Sequence, residues 1–299
     1  MDAFADARQL TARQLSTGYT WTECPRWHDG ALWFSDMYHH RLVRLSPAGE
    51  PEIMLDLTDR GPRAVPGGFG WLPDGRLIVT SMHECLVLAF DSSEVTVYAD
   101  LGELATGPIN DMVVDADGRA YVTQLGFELF AGEAPRDSAL LVVEPDGTAR
   151  ALDDLGGFAG ANGIAITADG TRLITAEAFA DRITVLDRDD KGALTGRRVF
   201  AGTPSLPDGI CLDIDGGVWT GMPSVSAVAR IVEGGEITDV VRFDPTQALP
   251  PAVVLGGDDR RTLYICAGLD VLDFEQSRAN RAGSIWTADV TIGGGDNRP

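Results

Sequence analysis

The sequence predicts an all-β fold: a six-bladed β-propeller with four-stranded blades, in a single domain over residues 1–299. Three observations carry the prediction. Asp-Gly pairs recur at Asp29-Gly30, Asp74-Gly75, Asp117-Gly118, Asp169-Gly170 and Asp215-Gly216, with a degenerate Asp258-Asp259, at intervals of 43 to 52 residues. A short apolar run follows each pair: Ala31-Leu-Trp-Phe-Ser, Arg76-Leu-Ile-Val-Thr, Arg119-Ala-Tyr-Val-Thr, Thr171-Arg-Leu-Ile-Thr, Gly217-Val-Trp-Thr and Arg261-Thr-Leu-Tyr-Ile. No convincing helical periodicity lies between them, so each period holds about four short strands and their turns. Equal spacing favours radial repetition over the other arrangement considered, a pair of β-sandwiches.

Taken in order, residues 1–20 are expected to supply an outer strand to the last blade and so close the ring. Within a blade, the Asp-Gly turn joins two runs into an antiparallel hairpin. The hairpin around Asp169-Gly170 shows this most clearly, with Ile164 and Ile166 before the turn and Leu173-Ile-Thr after it. The outer strands follow, as in Arg41-Leu-Val-Arg-Leu, the turn Ser46-Pro-Ala-Gly, and Pro51-Glu-Ile-Met-Leu; blade three repeats this with Ala139-Leu-Leu-Val-Val, Glu144-Pro-Asp-Gly and Ala149-Arg-Ala-Leu. One long insertion, residues 126–137, follows a second strand, where Glu128 and Glu133 could shape a lid. The Gly-rich tail beyond Thr291 has the composition of a disordered terminus.

A chain of 299 residues that is 44% hydrophobic can bury a large core. Its net charge of −21 argues against nucleic acid and against acidic membrane surfaces as partners. No apolar stretch approaches the roughly 18 residues of a membrane helix, and the first residues lack the apolar centre of a signal peptide. Cys24, Cys85, Cys211 and Cys266 form no CxxC pair, so a cytoplasmic protein with reduced thiols and a small-molecule partner is the expectation.

The chemistry gathers at the heads of the hairpins. Counting seven residues back from the turn Asp reaches Asn110, Asn162 and Asp208; in blade one a count of six reaches Glu23. Blade two has Gly67 there and blade six the apolar Pro250-Pro-Ala. In a propeller these positions converge on the central channel. Two carboxylates and two amide oxygens, without sulfur or imidazole, suit a hard dication such as Ca²⁺, Mg²⁺ or Mn²⁺. Without a cation, the two carboxylates would repel and each would bear a desolvation penalty. Asn-Gly and Asp-Gly are ordinary turn signals when they occur singly; register across four blades gives these four their weight.

Segments after each second strand share the same rim. They contain Tyr38, His39, His40, Met82, His83, Phe127, Phe179 and Met222. Of these, Tyr38, Met82, His83, Phe127, Phe179 and Met222, together with Asn110, are the expected substrate contacts. An apolar mouth with few polar groups suits an aromatic or alkyl-substituted ligand better than a bare sugar. Any of the three histidines could serve as a base or proton shuttle.

The chain resembles the SMP-30/gluconolactonase/LRE-like family of six-bladed propeller hydrolases. The likeness rests on Glu23-Cys-Pro-Arg-Trp with Leu32-Trp-Phe-Ser-Asp36, on Asn110-Asp-Met-Val-Val-Asp115 with Gly118, on Asn162-Gly-Ile-Ala with Asp169-Gly170, and on Leu206-Pro-Asp-Gly-Ile210 with Asp215-Gly-Gly-Val-Trp219. It covers about residues 18–288. The resemblance implies one divalent metal, first Ca²⁺ with Mg²⁺, Mn²⁺, Zn²⁺ and Fe²⁺ as alternatives, held by Glu23, Asn162 and Asp208. Asn110 would stand beside it as a fourth ligand or a substrate contact, and Asp208 would be the general base. The implied activity is metal-dependent opening of a lactone or related ester. Organophosphate triester hydrolysis is the alternative, and a calcium-stabilised binding propeller without catalysis is the second. Sugar-lactonase members carry an Arg two residues before the position of Asn110. Here Pro108 stands there, which weakens the expectation of an aldonolactone substrate.

Overall fold

The computed structural model describes residues 2–91 and 94–298, apart from the side chain of Phe130. Six sheets follow one another around a ring, as the spacing of the Asp-Gly turns predicts. Their innermost strands include Thr22–His28, Pro66–Trp71, Ile109–Val114, Ala161–Ile166, Ile210–Leu212 and Leu249–Gly256. Each pairs with the run that follows the turn, for example Ala31–Asp36 in blade one and Arg172–Glu177 in blade four. These inner and second strands are buried on both faces, because each blade packs between two others. Their burial is therefore nearly continuous rather than alternating, with Thr, Asn and Asp set among the apolar residues. Outer strands such as Pro51–Asp56 are half exposed and more polar.

The ring closes through the N-terminus. Arg13–Tyr19 pairs antiparallel with Gly283–Asp289 and completes blade six from the opposite end of the chain. One short strand was not anticipated: Arg8–Leu10 runs parallel to Ile237–Arg242 and gives blade five a fifth strand. The last residues act as a second latch. Gly294 N donates to Arg260 O, the Asn297 side chain donates to Leu212 O, and Arg298 exchanges two backbone hydrogen bonds with Ile166. Segment 291–298 thus runs from blade six across to blades five and four on the rim of the Asp-Gly turns, a course its Gly-rich composition did not suggest.

Another departure is a helix, Phe274–Asn280, inserted between the second and third strands of blade six. Asp273 caps it by accepting from Gln276 N at 2.9 Å. Its Phe274 ring lies 4.4 Å from Tyr38, and Arg278 Nε donates to Tyr38 O at 2.7 Å, so the helix is fastened over blade one.

Candidate active site at the propeller axis

The geometry begins with a backbone irregularity that recurs around the ring. In five blades the pairing of inner and second strands slips by one residue at the head of the inner strand. The slips fall between Glu23 and Arg26, Pro66 and Phe69, Ile109 and Met112, Ala161 and Ile164, and Leu249 and Ala252. A bulge leaves one residue out of the ladder and re-aims its side chain. Asn110 and Asn162 are within such bulges. Asp208 stands two residues before the strand that begins at Ile210, as Asn110 does before Met112 and Asn162 before Ile164.

Glu23 breaks this register. Arg26 in blade one takes the place of Met112 and Ile164, so Cys24 rather than Glu23 occupies the position equivalent to Asn110 and Asn162. Cys24 has φ of 48°, a left-handed conformation that is uncommon for a residue with a side chain. The turn in blade one is also shorter, with His28 pairing directly with Ala31. These two changes account for the count of six instead of seven.

The inner strands approach one another closely because glycines line the contacts. A Cβ on Gly163 would lie 2.4 Å from Ile210 N and 2.7 Å from Asp208 O, and Gly163 N donates to that same Asp208 carbonyl at 3.2 Å. The Asn162-Gly163 pair is therefore more than a turn signal: the glycine admits the neighbouring strand, and the asparagine reaches the axis.

Three of these side chains are drawn together: Asn162 hydrogen-bonds Asp208, and the charge of Glu23 reaches Asp208; Asn110 holds the equivalent bulge position in blade three. Glu23, Asn110 and Asp208 are buried and Asn162 is half-buried. Glu23 Oε2 accepts from Cys24 N at 3.0 Å, and Trp21 Nε1 lies 3.4 Å from Oε1. Burial pushes the Glu23 carboxyl up to about 8; the Cys24 N–H opposes this and the Asp111 carboxylate adds to it. Asp208 is pushed well above the usual carboxylate range, first by burial and then by the charges of Glu23 and Asp111, against a hydrogen bond with the Asn162 side chain. Asp208 Oδ1 is buried with no hydrogen-bond partner among the described residues. Two buried carboxylates, Asp208 raised by the charge of Glu23 and left with an orphaned oxygen, form a site with no cationic side chain bonded to either among the described residues. That is the condition a hard cation relieves. Among the described residues no group of three or more His, Cys, Asp or Glu side chains is disposed to hold a metal, so a ligand set here must draw on the Asn amides.

Two residues beside the axis were not singled out from the sequence. Arg26 of blade one and Asp111 of blade three form an ion pair at 2.5 Å, with both side chains 5% exposed. Nothing in the repeat pattern marks this pair, because its members stand 85 residues apart on different blades.

Several of the rim residues fall into two apolar groups. Tyr38 and Met82 are buried in an apolar cluster with Trp21, Met37 and Val65, and Phe274 packs on it. The Tyr38 hydroxyl donates to Val271 O at 2.5 Å. His83 is half-buried, 6.3 Å from the Phe274 ring, and its pKa is lowered by burial and then by Arg63. Phe127 is buried and Phe179 partly exposed, their rings 5.2 Å apart on blades three and four. Met222 is fully buried in the core cluster with Ile210, Val218 and Ala229. His39 and His40 are both engaged: His39 Nδ1 is 2.7 Å from Asp36 Oδ2, and His40 bridges Ala64 O and Arg278. In the insertion, Glu133 accepts from Glu128 N and pairs with Arg136 at 3.2 Å. A hollow of about 400 Å³ lined by Trp33, Met54, Trp71 and Phe90 includes the Asp74-Gly75 turn, and so opens on the opposite rim.

A profile of the SMP-30/Gluconolactonase/LRE-like region matches residues 21–268, which takes in all four axial residues. The chain belongs to this family. Among family relatives, the pentonolactonase XacC of Haloferax volcanii is 29% identical over 62% of this chain, and the match spans 63% of its own length. The 6-deoxy-6-sulfogluconolactonase of Pseudomonas putida is 28% identical, over 81% of each chain. Among solved structures, the calcium-binding protein regucalcin of Agrobacterium tumefaciens superposes with a TM-score of 0.77 over 97% of each chain at 18% identity, a likeness of fold.

Proposed function

We propose that this family member is a lactonase-type hydrolase that opens a lactone or related carboxylic ester with the help of one divalent cation, Ca²⁺ in the first instance. The observation that carries the reading is the buried, uncompensated pair Glu23 and Asp208 at the axis, with Asp208 Oδ1 unpartnered among the described residues. The names of the pentonolactonase and sulfogluconolactonase relatives support the reaction class, and that of regucalcin supports the ion. Glu23, Asn162 and Asp208 would hold the cation, with Asn110 as a fourth ligand or substrate contact. When bound, a hard dication polarises the scissile carbonyl and stabilises the negative charge that develops on its oxygen.

The chain's own groups do the rest. Asn110 orients the substrate through its amide, and Asp208 takes the proton from the attacking water at Oδ1. Water adds to the carbonyl carbon, the ring C–O bond breaks, and the proton returns from Asp208 to the departing alkoxide, leaving a hydroxy acid. The apolar groups around Tyr38, Met82 and Phe274 and around Phe127 and Phe179 favour an aromatic or alkyl substituent. The test is a panel of sugar lactones, aryl- and alkyl-substituted lactones, aryl esters and a fluorophosphate. It is run on chelator-treated protein with Ca²⁺, Mg²⁺, Mn²⁺, Zn²⁺ and Fe²⁺ restored singly. Cation-dependent opening of substituted lactones is expected. Turnover of the fluorophosphate alone, or of nothing at any metal loading, contradicts the reading.

A further inference from the structure

A third carboxylate, Asp111, follows Asn110 in the same bulge of blade three. Asp111 is 3% exposed, and its charge acts on both Glu23 and Asp208. Unlike those two it is paired. The Arg26 guanidinium meets Asp111 Oδ1 at 2.5 Å and spends its remaining donors on backbone carbonyls: Met112 O at 2.8 Å, Phe69 O at 3.1 Å and Pro25 O at 3.0 Å. Those carbonyls belong to the inner strands of blades one, two and three, so a single side chain ties three consecutive blades at the channel. Asp111 Oδ1 also accepts from Met112 N at 2.8 Å. The backbone is shaped around the pair, since a Cβ on Gly68 would lie 2.2 Å from Asp111 Oδ1 and 2.3 Å from Met112 N. A buried ion pair held this completely is costly to break from one side only.

We propose that Arg26 sets the net charge of the axial cation site: by pairing Asp111 across the ring, it leaves Glu23 and Asp208 as the two uncompensated charges and so matches the site to a dication. This rests on the cation-site reading above. Arg26 is a positioning residue on this account, because it acts through Asp111 and through its own charge on Glu23 and touches neither cation nor substrate.

The readout is the ratio of Tb³⁺ to Ca²⁺ affinity on chelator-treated protein. The two ions have similar radii and oxygen preferences but differ by one charge, so a distortion of the site shifts both affinities together while a change of site charge shifts the ratio. Tb³⁺ binding is followed by luminescence sensitised through Trp21, whose indole nitrogen lies 3.4 Å from Glu23, and Ca²⁺ binding by competition. Arg26→Met frees a third negative charge and is expected to raise the ratio about tenfold. Asp111→Asn leaves the guanidinium uncompensated and is expected to lower it by a similar factor, the size of one unit charge acting at close range in a partly desolvated site. The double variant Arg26→Met/Asp111→Asn restores the wild-type ratio even where stability falls. If Arg26→Met does not fold, Asp111→Asn, which keeps shape and most hydrogen bonds, still gives a signed answer. Ratios within twofold of wild type in the folded single variants, with both ions still binding, overturn the proposal and leave the cation site standing. Wild-type protein that binds neither ion overturns both.

Discussion

Glu177→Gln is expected to destabilise the protein by about 2–3 kcal/mol at neutral pH, and the difference should shrink on acidification. Glu177 ends the second strand of blade four and is fully buried. Its oxygens receive Arg182 at 2.7 and 3.0 Å, Arg197 at 3.1 and 3.2 Å, Thr184 at 2.5 Å and Ala159 N at 3.0 Å. Burial by itself would raise this carboxyl, but the bonds from Arg182, Thr184 and Ala159 N together with the Arg197 charge outweigh it and hold the pKa at about 2, against an ordinary 4.5. That fall corresponds to about 3 kcal/mol, which solvent around the partly exposed Arg182 and Arg197 trims toward about 2. Because the folded value is the lower one, the stabilisation is complete above pH 4.5 and fades as pH falls toward 2; more than half is gone at about pH 3. Gln keeps the shape and loses the charge. The assay is urea unfolding of wild type and variant at pH 7, 5 and 3, followed by tryptophan fluorescence. A Gln variant within about 0.5 kcal/mol of wild type at pH 7, or a gap that stays constant down to pH 3, refutes the reasoning. The bond from Ala159 N also links Glu177 to the segment that leads into Asn162, so a weaker cation affinity should accompany the loss.

Three further outcomes follow from the same geometry. Asp208→Asn should raise the melting temperature of chelator-treated protein, since one of two mutually repelling buried carboxylates is gone, while abolishing the Ca²⁺-induced upshift and cutting turnover at least about 100-fold; thermal scans with and without Ca²⁺ decide it, and an unchanged Ca²⁺ upshift counts against the ligand assignment. Removing residues 291–299 should lower the melting temperature and speed proteolysis, because the bonds of Asn297 and Arg298 to blades five and four are lost; an unchanged protease half-life contradicts a latch. Phe274→Ala should raise KM for substituted lactones more than for unsubstituted ones, as the ring caps the Tyr38 group, and equal effects on both would remove Phe274 from the substrate's path.

The ring was legible because its signal is local and repeated. Each Asp-Gly pair announces a hairpin by itself, and the recurrence supplies the architecture without any knowledge of contacts. The equivalent strand positions of Asn110, Asn162 and Asp208 were legible for the same reason, standing at one count from their turns. Glu23 was reached by adjusting that count, and the shorter turn at His28-Asp29-Gly30-Ala31 with left-handed Cys24 explains why the adjustment was needed. Other features depend on partners that sequence does not pair. Arg26 and Asp111 look like ordinary strand residues until blades one and three are brought together. Met222 is the last residue of its second strand, Val218–Met222, whereas Tyr38 and Phe179 lie beyond theirs, and it is buried in the core with Ile210 and Val218. The helix Phe274–Asn280 did leave a trace: Asp273 as N-cap with Glu275 in the first turn is a start signal, outweighed in the reading by the six strand-rich repeats around it.

The most direct test is an electron-density map from crystals grown with Ca²⁺. The account predicts an axial peak with carboxylate and amide oxygens of Glu23, Asn162 and Asp208 within about 2.3–2.6 Å, and Asp111 still turned toward Arg26. A channel holding only water between those side chains at millimolar Ca²⁺ would contradict it.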